Sequence, residues 1–265
     1  AGAAARVARA SAPASAVLDN PVRTVSDAID DFYKAYPQPP LLPMYRGFLI
    51  DLLTQSHLAI VDSRFKYNAI WALGFTEYYK ALMGSYDRMT GGAQADKILE
   101  AMLKALALDS AAVQEDAAAV QGYAAQTAPA DVMKHMEGPD AALDPKVSEA
   151  FSAMKGALVS TPFSIGLFKM MELCGVETSK SNVEEWADAL KISKVKVSTD
   201  LETYRLNKNK LQKAEEMLRE IEIQEKKKLA ERLEAKAKAL AEKAAGKKAD
   251  EETVAEPAAE PAKGE

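Results

Sequence analysis

Apolar side chains recur along this chain every three to four residues, which is the spacing of amphipathic helices. Alternation of apolar and polar residues, the pattern of a half-buried strand, does not stand out in any segment. The clearest helical pattern lies in residues 68–86, where one face carries Trp71, Phe75, Tyr78 and Leu82. The sequence therefore predicts an all-α fold built as a multi-helix bundle.

Capping residues and first-turn prolines mark where the predicted helices begin. Thr161 and Ser181 are the expected N-caps of two of them, the second with Glu184 as its capping-box partner. Residues 127–144 hold two prolines and a glycine, and we expect a flexible connection there with His135 exposed to solvent. In chain order, the predicted helices span residues 24–36, 43–61, 68–86, 93–108, 110–126, 145–158, 161–175 and 181–192.

Two of the predicted helices carry a glycine among large apolar residues, Gly74 in the first and Gly166 in the second. A glycine inside an exposed helix costs about 1 kcal/mol relative to alanine, so another effect should compensate for it. Close approach of a neighbouring helix is such an effect. We therefore expect these two helices to be central and to pack against each other. An aromatic box for a cofactor is the weaker interpretation, because few polar groups accompany the rings.

The residues that could carry chemistry are few. The single cysteine excludes an intramolecular disulfide. With only two histidines beside it, an ordinary zinc site is not expected. His57 lies on the apolar face of its helix, where we expect a packed, hydrogen-bonded imidazole, and Cys174 is expected to be a small buried apolar residue. An enzyme would need buried ionisable groups in one cleft, for which Asp51, Glu77 and Glu172 are the other central-helix candidates.

Charge and the N-terminal composition narrow the class of protein further. A formal net charge of −5 does not favour nucleic-acid binding, and no apolar run is long enough to predict a membrane span. Residues 1–23 are rich in Ala and Ser, contain Arg6 and Arg9, and have no acidic residue before Asp19. This composition is typical of an organellar transit peptide or its remnant, although an Ala-rich disordered terminus without a targeting role has the same composition.

Beyond Ser193 the sequence predicts one very long C-terminal helix. Leu211 and Leu218 are seven residues apart, whereas Leu218, Leu229 and Leu240 are eleven apart, so the apolar stripe drifts from a heptad toward a hendecad spacing. Charges dominate after Ile223, so this helix should project into solvent or lie against a partner. The expected organisation is a disordered transit-peptide remnant (1–23), a helical bundle (24–200), a long charged helix (201–245) and a disordered acidic tail (246–265).

Three separated blocks resemble one known family. They are "LLTQSHLAIVDSRFKYNAIWALGFTEYYKALMGSY", "FSIGLFKMMEL" and "ALKISKVKVSTDLETYRLNKNKLQKAEEMLRE". They resemble the thylakoid formation proteins, also called photosystem II biogenesis proteins, and the likeness covers about residues 25–86 and 161–220. It rests on helix-core residues in order and includes no catalytic motif. Residues 88–158 and 224–265 depart from the family pattern, being richer in Ala and in Lys and Glu. The core and signature positions are His57, Trp71, Gly74, Phe75, Tyr78, Phe163, Gly166 and Tyr204.

The resemblance implies a chloroplast protein of the stroma and of the stromal face of the thylakoid membrane. Its implied role is to support thylakoid organisation and the assembly and repair of photosystem II, as a non-enzymatic adaptor without a cofactor. The implied partners are the FtsH-type thylakoid protease, photosystem II assembly intermediates and the thylakoid membrane surface.

We expect the contact surface on exposed polar residues, which are Asp62, Arg64, Lys66, Lys213, Glu216 and Arg219. A self-associating coiled coil and a peripheral lipid-surface protein, for which the "EKKK" run at 225–228 would supply basic charge, are the alternatives.

Overall fold

The computed structural model describes residues 23–37, 41–138, 143–154 and 157–252. For residues 44, 89, 211, 215, 218 and 241–252 it describes the backbone alone. The predictions for residues 1–22 and for the acidic end beyond residue 252 lie outside these ranges, as do the side chains of Leu211 and Leu218 in the predicted stripe.

Within the described ranges the chain forms eleven α-helices and no β-strand, which confirms the all-α prediction. No helix there is both long enough and apolar enough to cross a bilayer. The helices are α1 (Val25–Ala35), α2 (Pro43–Val61), α3 (Ala69–Met83), α4 (Tyr86–Thr90), α5 (Ala95–Ala105), α6 (Ser110–Gln126), α7 (Pro129–Glu137), α8 (Pro145–Ala153), α9 (Thr161–Leu173), α10 (Lys180–Ala189) and α11 (Lys194–Glu252).

The chain divides into two compact units, Ala1–Leu211 and Gln212–Glu265. The buried hydrophobic residues extend from Ala28 to Leu201, so this core belongs to the first unit. The side chains described in the second unit are exposed or half-exposed.

Helices α3 and α9 form the centre of the first unit and cross at their glycines. A Cβ added to Gly74 would collide with the Pro162 carbonyl oxygen and the Gly166 nitrogen, and one added to Gly166 would collide with the Ile70 carbonyl oxygen. The backbones therefore touch where both residues lack a side chain. This contact confirms the prediction that the two glycine-bearing helices pack against each other, and it explains why glycine is tolerated inside both.

Local hydrogen bonds fix the beginnings of the helices that lead into this core. Thr24 caps α1 in a capping box, because its hydroxyl accepts from the Asp27 backbone nitrogen at 3.1 Å while the Thr24 nitrogen donates to Asp27 Oδ2 at 2.8 Å. Asn68 caps α3, since its Oδ1 accepts from the Trp71 nitrogen at 2.9 Å. These bonds satisfy amide donors that would otherwise lack partners in the first helical turn.

The predicted N-caps of α9 and α10 were wrong. Ser179 caps α10, because its extended backbone lets its hydroxyl accept from the Asn182 nitrogen at 3.2 Å, whereas Ser181 lies inside the first turn. Glu184 instead accepts from Ser198. For α9 the N-cap position is Ser160, and Thr161 is the first helical residue.

The segment predicted to be a flexible connection contains helix α7. Pro129 stands in the first turn, where a missing amide donor costs nothing, so this proline is compatible with the start of a helix. Val132 and Met136, four residues apart, bury the inner face of α7. His135 is half-buried and not fully exposed, and its Nδ1 lies 2.8 Å from the Tyr123 hydroxyl.

Several predicted helices are shorter in the structure than in the sequence pattern. The predicted 68–86 helix ends at Met83, and a turn at Gly84 and Ser85 leads into the separate short helix α4. The predicted 145–158 helix ends at Ala153. Apolar residues continue past both ends, because a buried turn keeps its side chains in the core as a helix does.

Candidate interaction surfaces

The signature residues of the central helices are core residues. Trp71, Phe75 and Phe163 are fully buried around the glycine crossing. His57 is buried too, and its Nε2 donates to the Arg23 carbonyl oxygen at 2.8 Å. The imidazole therefore holds the residue just before α1 against α2, and its ring nitrogen is occupied by a backbone contact. These positions determine the fold and present no reactive group to solvent.

Two half-buried tyrosines join the first part of α11 to the bundle within the first unit. The Asn207 amide donates to the Tyr78 hydroxyl at 3.1 Å. The Tyr204 ring lies 5.8 Å from the Phe168 ring, between centroids, and burial followed by the nearby Glu172 and Glu77 carboxylates raises the pKa of Tyr204 to about 12. Both hydroxyls therefore stay protonated at neutral pH and act as packing and hydrogen-bonding groups.

The buried carboxylate of Asp200, which no sequence pattern indicated, lies on α11 beside the N-terminus of α9. The Ser164 hydroxyl donates to Asp200 Oδ2 at 2.6 Å, the Thr161 hydroxyl donates to Oδ1 at 3.3 Å, and Lys196 forms an ion pair with Oδ1. A carboxylate in this place is also favoured by the helix dipole. Asp200 thus attaches α11 to α9, and its only sequence signal was an acidic residue between the apolar Val197 and Leu201.

Of the four ionisable residues considered for an enzyme, the structure brings two together. Glu77 and Glu172 both approach the Lys169 ammonium, at 3.3 and 3.9 Å. Burial acts to raise the pKa of Glu77, but the hydrogen bonds and charges of Lys80 and Lys169 outweigh it, so that pKa lies below its usual range. Both groups are partly exposed members of ion pairs. Asp51 is exposed to solvent.

The described part of the first unit includes two clefts. One of about 400 Å³ is bordered by Glu137, Glu185 and Asp188 beside Met133. The other, of about 370 Å³, lies among α3, α5 and α6, with mainly apolar walls that include Met83 and Leu99. Among the described residues, no group of three or more His, Cys, Asp or Glu side chains is placed to hold a metal ion. Cys174 is half-buried where full burial was expected; its thiol donates to the Ala124 carbonyl oxygen at 3.3 Å, and burial raises its pKa.

The C-terminal end of α2 carries the first of the predicted contact surfaces. Asp62 and Arg64 form a two-bonded ion pair, with Arg64 Nε 3.0 Å from Oδ1 and a terminal guanidinium nitrogen 2.8 Å from Oδ2 of Asp62. These side-chain bonds, and then the Arg64 backbone amide, lower the pKa of Asp62 to about 2. Lys66 is exposed two residues further on, and the apolar Leu58 and Val61 are exposed on the preceding turn. We call these five residues the α2-end patch.

The second predicted surface lies on α11 within the second unit. Lys213, Glu216 and Arg219 are exposed, and so are the neighbouring apolar side chains of Met217 and Ile221. This part of the helix therefore presents both charge and apolar area to solvent. The α2-end patch and this α11 surface belong to different units of the chain.

Comparison with known proteins identifies the family. The model of a family described as "Thylakoid formation protein" matches residues 24–233. The chain is 32% identical over 213 residues to "Protein THYLAKOID FORMATION1, chloroplastic" of Oryza sativa subsp. japonica, which covers 80% of this chain and 72% of that protein. It is 29% identical over 222 residues to "Protein Thf1" of Gloeobacter violaceus, covering 79% of this chain and 96% of that protein.

The fold has a solved relative as well. A structure of Psb29 determined at 1.55 Å superposes with a TM-score of 0.67 at 26% sequence identity, covering 78% of this chain and 99% of the Psb29 chain. The sequence match and the structural match agree, and the matched region includes the glycine crossing, the α2-end patch and α11 as far as residue 233. This chain belongs to the thylakoid formation protein family.

Proposed function

We propose that this chain is a non-enzymatic adaptor for thylakoid biogenesis and for the assembly and repair of photosystem II. Its proposed location is the chloroplast stroma and the stromal face of the thylakoid membrane. The family is named for a formation process and not for a reaction, and the plant relatives are named chloroplastic, which supports both parts of the proposal.

One observation carries the proposal. The family match continues along α11 to residue 233, well beyond the buried core, which ends at Leu201. Every described side chain from residue 212 to residue 240 is exposed or half-exposed. A helical segment that contributes nothing to a core can act only through what its surface contacts, so a family role for this segment of α11 is a binding role.

The proposed partners are an FtsH-type thylakoid protease, photosystem II assembly intermediates and the thylakoid membrane surface. The proposed main contact is the α11 surface around Lys213, Glu216 and Arg219. Its mixed charges suit a protein partner with complementary charges, which would set the rate and the specificity of binding more than its strength. The α2-end patch, with its exposed Leu58 and Val61, is the second candidate contact.

Affinity purification from gently solubilised thylakoids tests the proposal. The tagged full chain is compared with a variant that ends at Leu211, which removes the second unit but keeps the bonds of Tyr78 to Asn207 and of Ser164 to Asp200. We expect mass spectrometry to find the protease or photosystem II assembly factors with the full chain and to lose them on truncation. Retention would place the contact on the bundle. Recovery of no specific partner with either form would contradict the adaptor function.

A charge-reversal pair sharpens this test, because the chain offers a matched control. Reversing Lys213, Glu216 and Arg219 changes the same number of charges, with the same signs, as reversing Lys97, Glu100 and Lys104, which are exposed on α5. We expect only the α11 variant to lose the partner. Equal loss with both variants would indicate a response to net charge and would argue against a specific contact on α11.

A further inference from the structure

The second unit exposes more large apolar side chains than a solvated helix requires. They are Met217 (63% exposed), Ile221 (47%), Ile223 (60%), Leu229 (58%), Leu233 (58%) and Leu240 (68%). Leu229, Leu233 and Leu240 are separated by four and then seven residues, so they share one face of α11. Single exposed leucines are ordinary, but an apolar stripe along a helix is normally buried against another surface.

The charges along the same helix are segregated. Residues 215–225 contain five Glu and one Arg, whereas residues 226–238 contain five Lys, one Arg and two Glu. The sign of the charge therefore changes near the middle of the exposed stretch. Two such helices side by side in parallel would align acidic with acidic and basic with basic segments. An antiparallel arrangement would align each acidic segment with a basic one, and this contrast decides the orientation of a pair.

We propose that two copies of this chain associate through α11 as an antiparallel helix pair whose two-fold axis passes between residues 225 and 226. In this register Glu225 of each copy faces Lys226 of the other. This alignment places the acidic segment 215–225 of each copy along the basic segment 226–238 of the other.

The exposed leucine stripe is compatible with the same pairing. In it, Leu229 of one copy faces the hydrocarbon stem of Glu222 of the other. The leucines at 218, 229 and 240 keep an eleven-residue spacing, which suits nearly straight helices with little supercoil. The segregated charges therefore set the antiparallel orientation and the position of the axis, and the leucine spacing suits the shape of the two helices.

Sedimentation velocity of the full chain over a range of concentrations tests the association. We expect a reversible dimer, and we expect the combined change Leu229→Glu and Leu233→Glu to raise its dissociation constant at least tenfold. The matched control is Leu58→Glu with Val61→Glu, which adds the same charges to exposed positions on α2 and should leave the dimer intact. A full chain that remains monomeric at every concentration would overturn the proposal, as would equal weakening by the control.

Disulfide trapping tests the orientation. On a Cys174→Ser background, Glu225→Cys lies beside the two-fold axis and should form a covalent dimer on mild oxidation. Lys236→Cys lies about 30 Å from its own copy in the antiparallel pair, given a rise of about 1.5 Å per residue over twice its distance from the axis, and should not. Equal trapping at both positions would show a parallel pair and contradict the register.

Two further outcomes separate self-association from its rivals. The dimer should weaken as sodium chloride rises from low to high concentration, since the segregated charges are exposed to solvent. Vesicles of phosphatidylglycerol and phosphatidylcholine provide the lipid alternative. Binding to these vesicles by a chain that does not dimerise would assign the basic segment 226–238 to a membrane surface, and the proposal would be wrong.

Discussion

Gly74 and Gly166 fix the distance between the two central helices, because at each position the partner backbone occupies the volume of a Cβ atom. Flexible side chains can adjust around a new methyl group, but a carbonyl oxygen in a buried helix cannot move without displacing the helix. The chain contains other helical glycines in different surroundings. Gly122 on α6 is exposed, and an added Cβ there would meet no atom within 4 Å.

We expect Gly74→Ala to lower the free energy of unfolding by about 3 kcal/mol or more, because it overpacks a backbone contact. Gly122→Ala should instead raise it by up to about 1 kcal/mol, through helix propensity alone. Urea denaturation monitored by circular dichroism measures both. Similar effects of the two substitutions would show that the α3–α9 crossing can relax around an added methyl group.

The Asp62–Arg64 pair makes a prediction about pH. The folded pKa of Asp62, about 2, lies below the ordinary value of 3.8, so the pair's stabilising contribution is present above pH 3.8 and is lost as the pH falls through 2. Arg64→Gln removes the side-chain bonds that lower this pKa most and should return the pKa of Asp62 toward 3.8. An NMR titration of the Asp62 carboxyl measures this change. An unchanged pKa would mean that backbone bonds alone hold the carboxylate.

At the residue scale, the sequence predicted buried residues better than it predicted polar contacts. Trp71, Phe75 and Leu82 were recognisable because burial imposes a helical spacing on apolar residues. The burial of Asp200 was not recognisable. Its partners Ser164 and Thr161 lie on another helix, and no local sequence pattern indicates a contact between residues so far apart in the chain. For the same reason the sequence predicted that His57 is hydrogen-bonded but did not identify its partner, the Arg23 carbonyl oxygen.

At the element scale, helix α10 was predicted correctly, but the residue that caps its N-terminus was not. The segment Ser-Lys-Ser at 179–181 offers two hydroxyls that could cap the helix, and a glutamate three residues after the second made that one more attractive. The structure selects Ser179, whose backbone is extended and whose hydroxyl accepts the capping bond. Helix ends were predicted less well than helix interiors for this reason, since caps depend on one or two dihedral angles while interiors repeat.

The cap assignment can be tested directly. Ser179→Ala should lower the free energy of unfolding by about 1 kcal/mol, because the Asn182 amide loses its acceptor. Ser181→Ala, two residues away and exposed, should have almost no effect. Thermal or urea unfolding of the two single variants compares them. A larger loss of stability with Ser181→Ala than with Ser179→Ala would indicate that Ser181 is the N-cap.

Helix α7 is the second error at this scale, because a flexible connection was predicted where the structure has a helix. A short helix of nine residues that begins at a proline has too few turns to display a convincing period, so its composition resembled that of a loop. Its burial depends on contacts with α8 and α10, which the local sequence does not contain. Longer helices such as α6, which matched its predicted limits, show several turns of pattern and need no such information.

At the scale of the whole molecule, the division at residue 211 predicts how the chain tolerates truncation. A chain that ends at Leu211 should lose less than roughly 1 kcal/mol of stability, a shift of at most about 2–4 °C in Tm for a protein of this size. A chain that ends before Lys194 also loses the buried Val197, Asp200 and Leu201, and should lose about 4 kcal/mol or more. Differential scanning calorimetry compares the two. Equal losses would contradict the assignment of the core to the first unit.

The family could be predicted from the sequence because core residues in three separated blocks determine the fold, and the comparisons confirm it. The contact surface remains a prediction at Asp62, Arg64, Lys66, Lys213, Glu216 and Arg219. Surface residues face water whether or not they bind a partner, so neither period nor burial distinguishes them.

The distribution of aromatic residues between the two units has a spectroscopic consequence. Both tryptophans, all nine tyrosines and all seven phenylalanines precede residue 205, so the second unit contains no aromatic chromophore. Tryptophan emission and near-ultraviolet dichroism therefore report the first unit alone, whereas the far-ultraviolet helix signal includes all of α11. Melting of α11 beyond residue 211 would reduce the far-ultraviolet signal while the aromatic spectra stay constant, so an unmodified chain already carries separate optical signals for its two units.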